Sequence, residues 1–93
     1  MDVKDLDAKQ RMTAKLQAAF APASLEVIDE SHLHAGHLQA GNAKETHFRV
    51  KIVAKVFAGR SRLDRHRAVN GILAQDLANG VHALAIEARA PGE

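Results

Sequence analysis

Apolar residues recur along this chain in two rhythms, one helical and one alternating. Over residues 7–20, Met12, Leu16, Ala19 and Phe20 return at helical spacing; Asp7 can cap with Gln10 three residues on, and Pro22 stops the run. Leu25 to Asp29 is a brief strand candidate. The strongest strand pattern runs from His47 to Phe57: Phe48, Val50, Ile52, Ala54 and Val56 fall on one face, with Arg49, Lys51 and Lys55 mostly on the other. Gly59 ends it. Ser61-Arg62-Leu63-Asp64 then fits a capping pattern in which the Ser61 hydroxyl accepts from the Asp64 amide. The helix so opened carries Val69, Ile72, Leu73 and Leu77 as its buried stripe, and Asn79-Gly80 supplies a left-handed stop. A last strand spans Val81 to Arg89, with His82, Leu84, Ile86 and Ala88 on one face.

Residues 31–46 show no period. Ser, His, Gly, Ala, Gln, Asn and Lys dominate, and such a gap is long for a connection inside a small domain, where loops of this kind are usually functional or disordered. Few apolar anchors also make it the expected mobile part of the free protein.

The order is helix, strand, strand, helical region, strand, which predicts an α+β fold of type αββααβ. A helical crossover between the second and third strands makes them parallel, while the first two are antiparallel across the loop. A three-stranded mixed sheet results, with helices packed on one face and a basic strand face left comparatively open. Ninety-three residues make one domain, residues 1–93, with no room for a second core. A chain of this size buries roughly 60–65% of the surface its unfolded form exposes, so it folds with little margin.

Composition narrows the chemistry. The 93 residues contain no cysteine, which removes disulfides, thiolate nucleophiles and Cys-built metal sites from this chain. No glycine-rich phosphate loop or nucleophile-elbow serine is present either, so a non-enzymatic role is expected. No apolar run reaches the ~18 residues of a membrane span. The charged start MDVKDLDAKQ is unlike a secretory signal, and the expected setting is the cytoplasm. The formal charge is only +2, yet Arg60, Arg62, Arg65 and Arg67 fall within eight residues. Arginines in the first turns of a helix oppose its dipole, a local cost that hints at an anionic partner such as duplex DNA. With Lys51 on the open strand face, these are the candidate nucleic-acid contacts; the plainer reading is a solvated basic surface. Six histidines is a high count, and His32, His34 and His37 cluster in the unpatterned segment. Neutral imidazole is a good iron or zinc ligand, although loop histidines are also often only solvated.

Glu45-Thr46-His47-Phe48-Arg49-Val50, Phe57-Ala58-Gly59, Arg65-His66-Arg67 and Val81-His82-Ala83-Leu84-Ala85-Ile86, in this order and spacing, resemble the BolA family from about Leu6 to Pro91. The resemblance implies a fold similar to class II KH domains and two activities. One is partnership with a monothiol glutaredoxin through a shared [2Fe–2S] cluster, whose thiolates come from the glutaredoxin and glutathione. The other is DNA binding as a transcription regulator. It further implies two ligands from this chain: His82, opening the last strand, and one loop histidine, with His37 nearest the expected place, His34 an alternative and His32 a weaker third. Alone, the chain is expected to hold no cluster, and a monomer is the working expectation for that form. His66 matches a family motif and stands as a secondary site, with a structural role equally open; His47 fits the polar strand face. KH-like RNA clamping is disfavoured, because Gly59-Arg60-Ser61-Arg62 lacks a second glycine and every aromatic is Phe.

Overall fold

A computed structural model describes residues 7–30, 47–81 and 83–93. The helix α1 (Ala8–Phe20) is followed by strands β1 (Ser24–Asp29) and β2 (His47–Val53), a 3-10 turn (Lys55–Phe57), helices α2 (Arg62–Ile72) and α3 (Ala74–Ala78), and strand β3 (Ala83–Arg89). β2 is the centre of the sheet. It pairs antiparallel with β1 and parallel with β3, as the crossover requires.

Both predicted helix starts form. The Asp7 carboxylate accepts from the Gln10 amide while the Gln10 side chain accepts from the Asp7 amide, and the Ser61 hydroxyl accepts from the Asp64 amide. Each satisfies donors that the first helical turn leaves without intrahelical partners. The buried strand residues share one parity: Val27 from β1, Phe48, Val50 and Ile52 from β2, and Ile86 from β3. Against that face pack Met12 and Leu16 of α1, Val69 of α2 and Leu73 at the α2–α3 junction, in one continuous core.

The expected strand from His47 to Phe57 ends early. At Lys55 the backbone closes a 3-10 turn, which advances the next side chain by about a third of a turn instead of reversing it. Val56, expected in the core, is therefore 42% exposed, and Phe57 is fully buried in its place, its ring centroid 5.2 Å from that of Phe20. Ile72 is corrected likewise. It is exposed, because the chain turns from α2 into α3 at Leu73, which leaves Val69 and Leu73 buried and Leu77 packed against the core. Val81 is buried but precedes β3.

The open sheet face is not basic. In register across the three strands, Lys51 stands between Glu26 and Glu87. Arg49 bonds Glu30 at 3.0 Å and Glu87 at 3.2 Å, so its charge is matched on both sides. Alternation within β2 correctly separates Arg49 and Lys51 from the core, but the acids facing them come from other strands. Residues 31–46, expected to be mobile, lie outside the described residues, as do His32, His34, His37 and His82.

Candidate functional site

Two regions bear on function. The first is the end of the sheet from which the 31–46 connection departs. There the Glu30 amide donates to the His47 carbonyl at 2.8 Å, so the two roots of that connection are bonded to each other. His47 is in turn in register with Ala83, the first residue of β3 and the one that follows His82 in sequence. One sheet end thus gathers three chain positions: the exit at Glu30, the return at His47 and the start of β3. Arg49 reinforces the exit through its bond to Glu30, and the two acids raise its pKa, chiefly by the Glu30 hydrogen bond. The expected ligands themselves lie outside the described residues, and among the described residues no cluster of three metal-ligating side chains occurs. The donor set fits a shared [2Fe–2S] group only as a minority partner. It offers neutral imidazoles and no thiolate, so anionic sulfur ligands have to come from another molecule.

The second region is a cleft of about 550 Å³ between the start of α2 and the outer edge of β3. Arg60, Arg62, Arg65 and His66 form one wall and the strand from Ile86 to Arg89 the other. The four clustered arginines have different fates. Arg65 is spent on the fold: it donates to the carbonyls of Arg60 and Ala88 and grips Glu93 with two bonds, of 2.5 and 2.7 Å. That paired, bidentate geometry raises the Arg65 pKa and holds the Glu93 carboxyl down at about 2, helped by the Ala90 amide, which donates to the same carboxylate. Arg60 and Arg62 are exposed, and among the described residues no acidic side chain pairs with either. Arg67 is exposed too but does not line the cleft. His66 is half-buried in the wall between them. Three of the four clustered arginines line the cleft, and sequence spacing had no signal that Arg65 reaches 28 residues ahead to Glu93.

Among the described residues no helix is long and apolar enough to cross a membrane. The family of BolA-like proteins matches residues 16–93. An uncharacterized Sinorhizobium protein, encoded 5' of cobS, is 56% identical over 81 residues, covering 85% of this chain and 86% of its own. The DNA-binding transcriptional regulator BolA of Escherichia coli is 45% identical over 78 residues, 84% of this chain and 70% of that protein. Some other relatives are longer, and the chain spans as little as 24% of one of them. Among solved structures, BolA1 from Arabidopsis thaliana superposes with a TM-score of 0.83 at 40% identity, over 95% of this chain and 96% of that one.

Proposed function

Since this chain belongs to the BolA family, we propose that it is a non-enzymatic cytoplasmic adaptor in iron–sulfur trafficking or iron-status signalling, pairing with a monothiol glutaredoxin around a shared [2Fe–2S] cluster. The supporting observation is the convergence at one sheet end: Glu30 bonded to His47, and His47 in register with Ala83. The roots of the 31–46 connection and the first residue after His82 are neighbours at that end, which suits one ligand from each for one small group. When bound, the cluster supplies a redox-active bridge between the two proteins. What this chain contributes is neutral nitrogen: His82, and His37 or His34, hold their side of the group, while the partner and glutathione provide the thiolates. Replacing an anionic thiolate with neutral imidazole raises the reduction potential, as in Rieske-type centres. Mixed with a monothiol glutaredoxin, glutathione, iron and sulfide, the protein forms a coloured heterodimer whose spectrum differs from that of the all-thiolate glutaredoxin homodimer. His82→Ala abolishes that difference and His47→Ala keeps it; an unchanged spectrum and potential in His82→Ala overturns the reading.

A second reading, DNA binding, is favoured by the Escherichia coli relative, a DNA-binding transcriptional regulator, and by Arg60 and Arg62, which have no acidic partner among the described residues. Contacts would be to phosphates, so affinity falls steeply with salt, with log K dropping by roughly 0.9 per contact against log salt. Arg60→Ala with Arg62→Ala lowers affinity for all duplexes alike and flattens that slope. Arg65→Ala is the wrong probe, because it removes the grip on Glu93 and Ala88 and so perturbs the fold. A complex whose salt slope survives the double change would remove the cleft from this reading.

A further inference from the structure

The outer edge of β3 is half-occupied by the protein's own side chains, in a way that describes what else would fit there. Peptide groups alternate sides along a strand. The Arg89 carbonyl accepts from Ala54, on the β2 side, so the groups of Arg89, Glu87 and Ala85 turn toward β2, and those of Ala88, Ile86 and Leu84 turn outward. At the far end two outward groups are already engaged: the Ala88 carbonyl by Arg65, and the Ala90 amide by Glu93. The chain thus places a carboxylate against this edge and clamps it with an arginine. Upstream, the outward Ile86 N–H and C=O and the Ala88 N–H open on the same cleft, below Arg60 and Arg62, which have no acidic partner among the described residues.

We propose that the β3 edge is a docking site for an extended acidic peptide of a partner protein, which adds as a fourth strand. Its main chain pairs with Ile86 and Ala88, and carboxylates at alternate positions meet Arg60 and Arg62. Strand addition supplies affinity through backbone bonds, while alternate side chains supply selectivity. Charge selects this occupant over the others. Symmetric pairing of two β3 edges would bring the α2 starts of two copies together, setting Arg60 and Arg62 near the same arginines of the second copy, a like-charge arrangement that costs stability. Single-stranded nucleic acid would want exposed aromatic platforms, but Phe48 and Phe57 are buried and Phe20 packs on Phe57. The opposite edge, β1, carries Glu26 and Asp29 and lacks the arginines, so the two edges are not equivalent.

The test uses the full chain without any cluster, so its result is independent of the glutaredoxin reading. A synthetic heptapeptide alternating Val and Glu, with blocked ends, is titrated into isotope-labelled protein while amide shifts and hydrogen exchange are followed. Binding should slow exchange at the Ile86 and Ala88 amides. The same peptide N-methylated on its pairing edge should bind at least about tenfold more weakly, as should the unmodified peptide to Arg60→Glu, Arg62→Glu protein. Equal binding of the methylated peptide overturns the strand-addition geometry. Perturbation of these amides by a DNA duplex or single strand but not by the peptide assigns the cleft to nucleic acid and overturns the proposal. So does concentration-dependent protection of Ile86 in the protein alone, which would make a second copy the occupant.

Discussion

Lys15 and Asp76, sixty-one residues apart, meet through a 2.7 Å bond in which the ammonium lies at the core's margin and the carboxylate is almost wholly buried. Arg11, one turn earlier on α1, approaches the other carboxylate oxygen at 3.5 Å, too long to count as a strong bond. α3 has only five residues and cannot hold its place by helical propensity. The Asp76 side chain anchors it to α1, and its carbonyl accepts from Asn79 and Val81 to turn the chain toward β3.

Removing that carboxylate therefore loosens the approach to β3. Asp76→Asn lowers the unfolding free energy by about 1–2 kcal/mol, discounted because Lys15 is a third exposed and can be resolvated. In urea titrations Lys15→Met should cost more than Arg11→Met. A double-mutant cycle between Lys15 and Asp76 should return a coupling of about 1 kcal/mol.

The Arg65–Glu93 pair sets an acid limit. Glu93 has its carboxyl lowered from the ordinary 4.5 to about 2 in the folded protein, chiefly by the Arg65 hydrogen bond. A depressed folded pKa means that the stabilisation is complete above about 4.5 and is lost as the pH falls toward 2. Wild type and Glu93→Gln should differ in stability by a constant amount at neutral pH. The gap should close as denaturation curves are taken from pH 5 down to about 2.5.

Two small residues sit where the backbone would prefer each other's type. Ala21, ending α1, has φ of 43°, in the left-handed region that favours glycine. Gly71 lies inside α2, and a Cβ there would meet nothing within 4 Å. Ala21→Gly should stabilise by a few tenths to about 1 kcal/mol, and Gly71→Ala by about 0.5–1 kcal/mol. The sites share no element, so the thermal shifts of the two variants should add.

The 3-10 turn reverses the roles of two adjacent apolar residues. Phe57→Leu leaves part of the ring's volume empty against Phe20 and should cost about 1–2 kcal/mol. Val56→Ser, at an exposed position, should change stability by no more than about 0.5 kcal/mol. Strand geometry continued through residue 57 would give the opposite order.

Local chemistry was legible in the chain. Asp7 with Gln10 and Ser61 with Asp64 cap helices because their partners lie three residues away, within reach of any such turn. Phe48, Val50 and Ile52 point to the core because two-residue alternation is a property of extended backbone. Parallel pairing of β2 with β3 followed from the helical crossover. What tertiary structure alone decided involves partners distant in sequence. Arg65 read as one of four equivalent arginines until the fold brought Glu93 and the Ala88 carbonyl to it, leaving Arg60 and Arg62 at the cleft with no acidic partner among the described residues. Lys51 read as part of a basic face until pairing set Glu26 and Glu87 beside it. Asp76 gave no sign of burial, since a lone acid, even among apolar neighbours such as Leu73 and Leu77, becomes a core anchor only when α1 supplies Lys15 across the interface. Capping and alternation are short-range and belong to the sequence, whereas the electrostatic identity of each surface depends on long-range contacts that only the folded chain brings together.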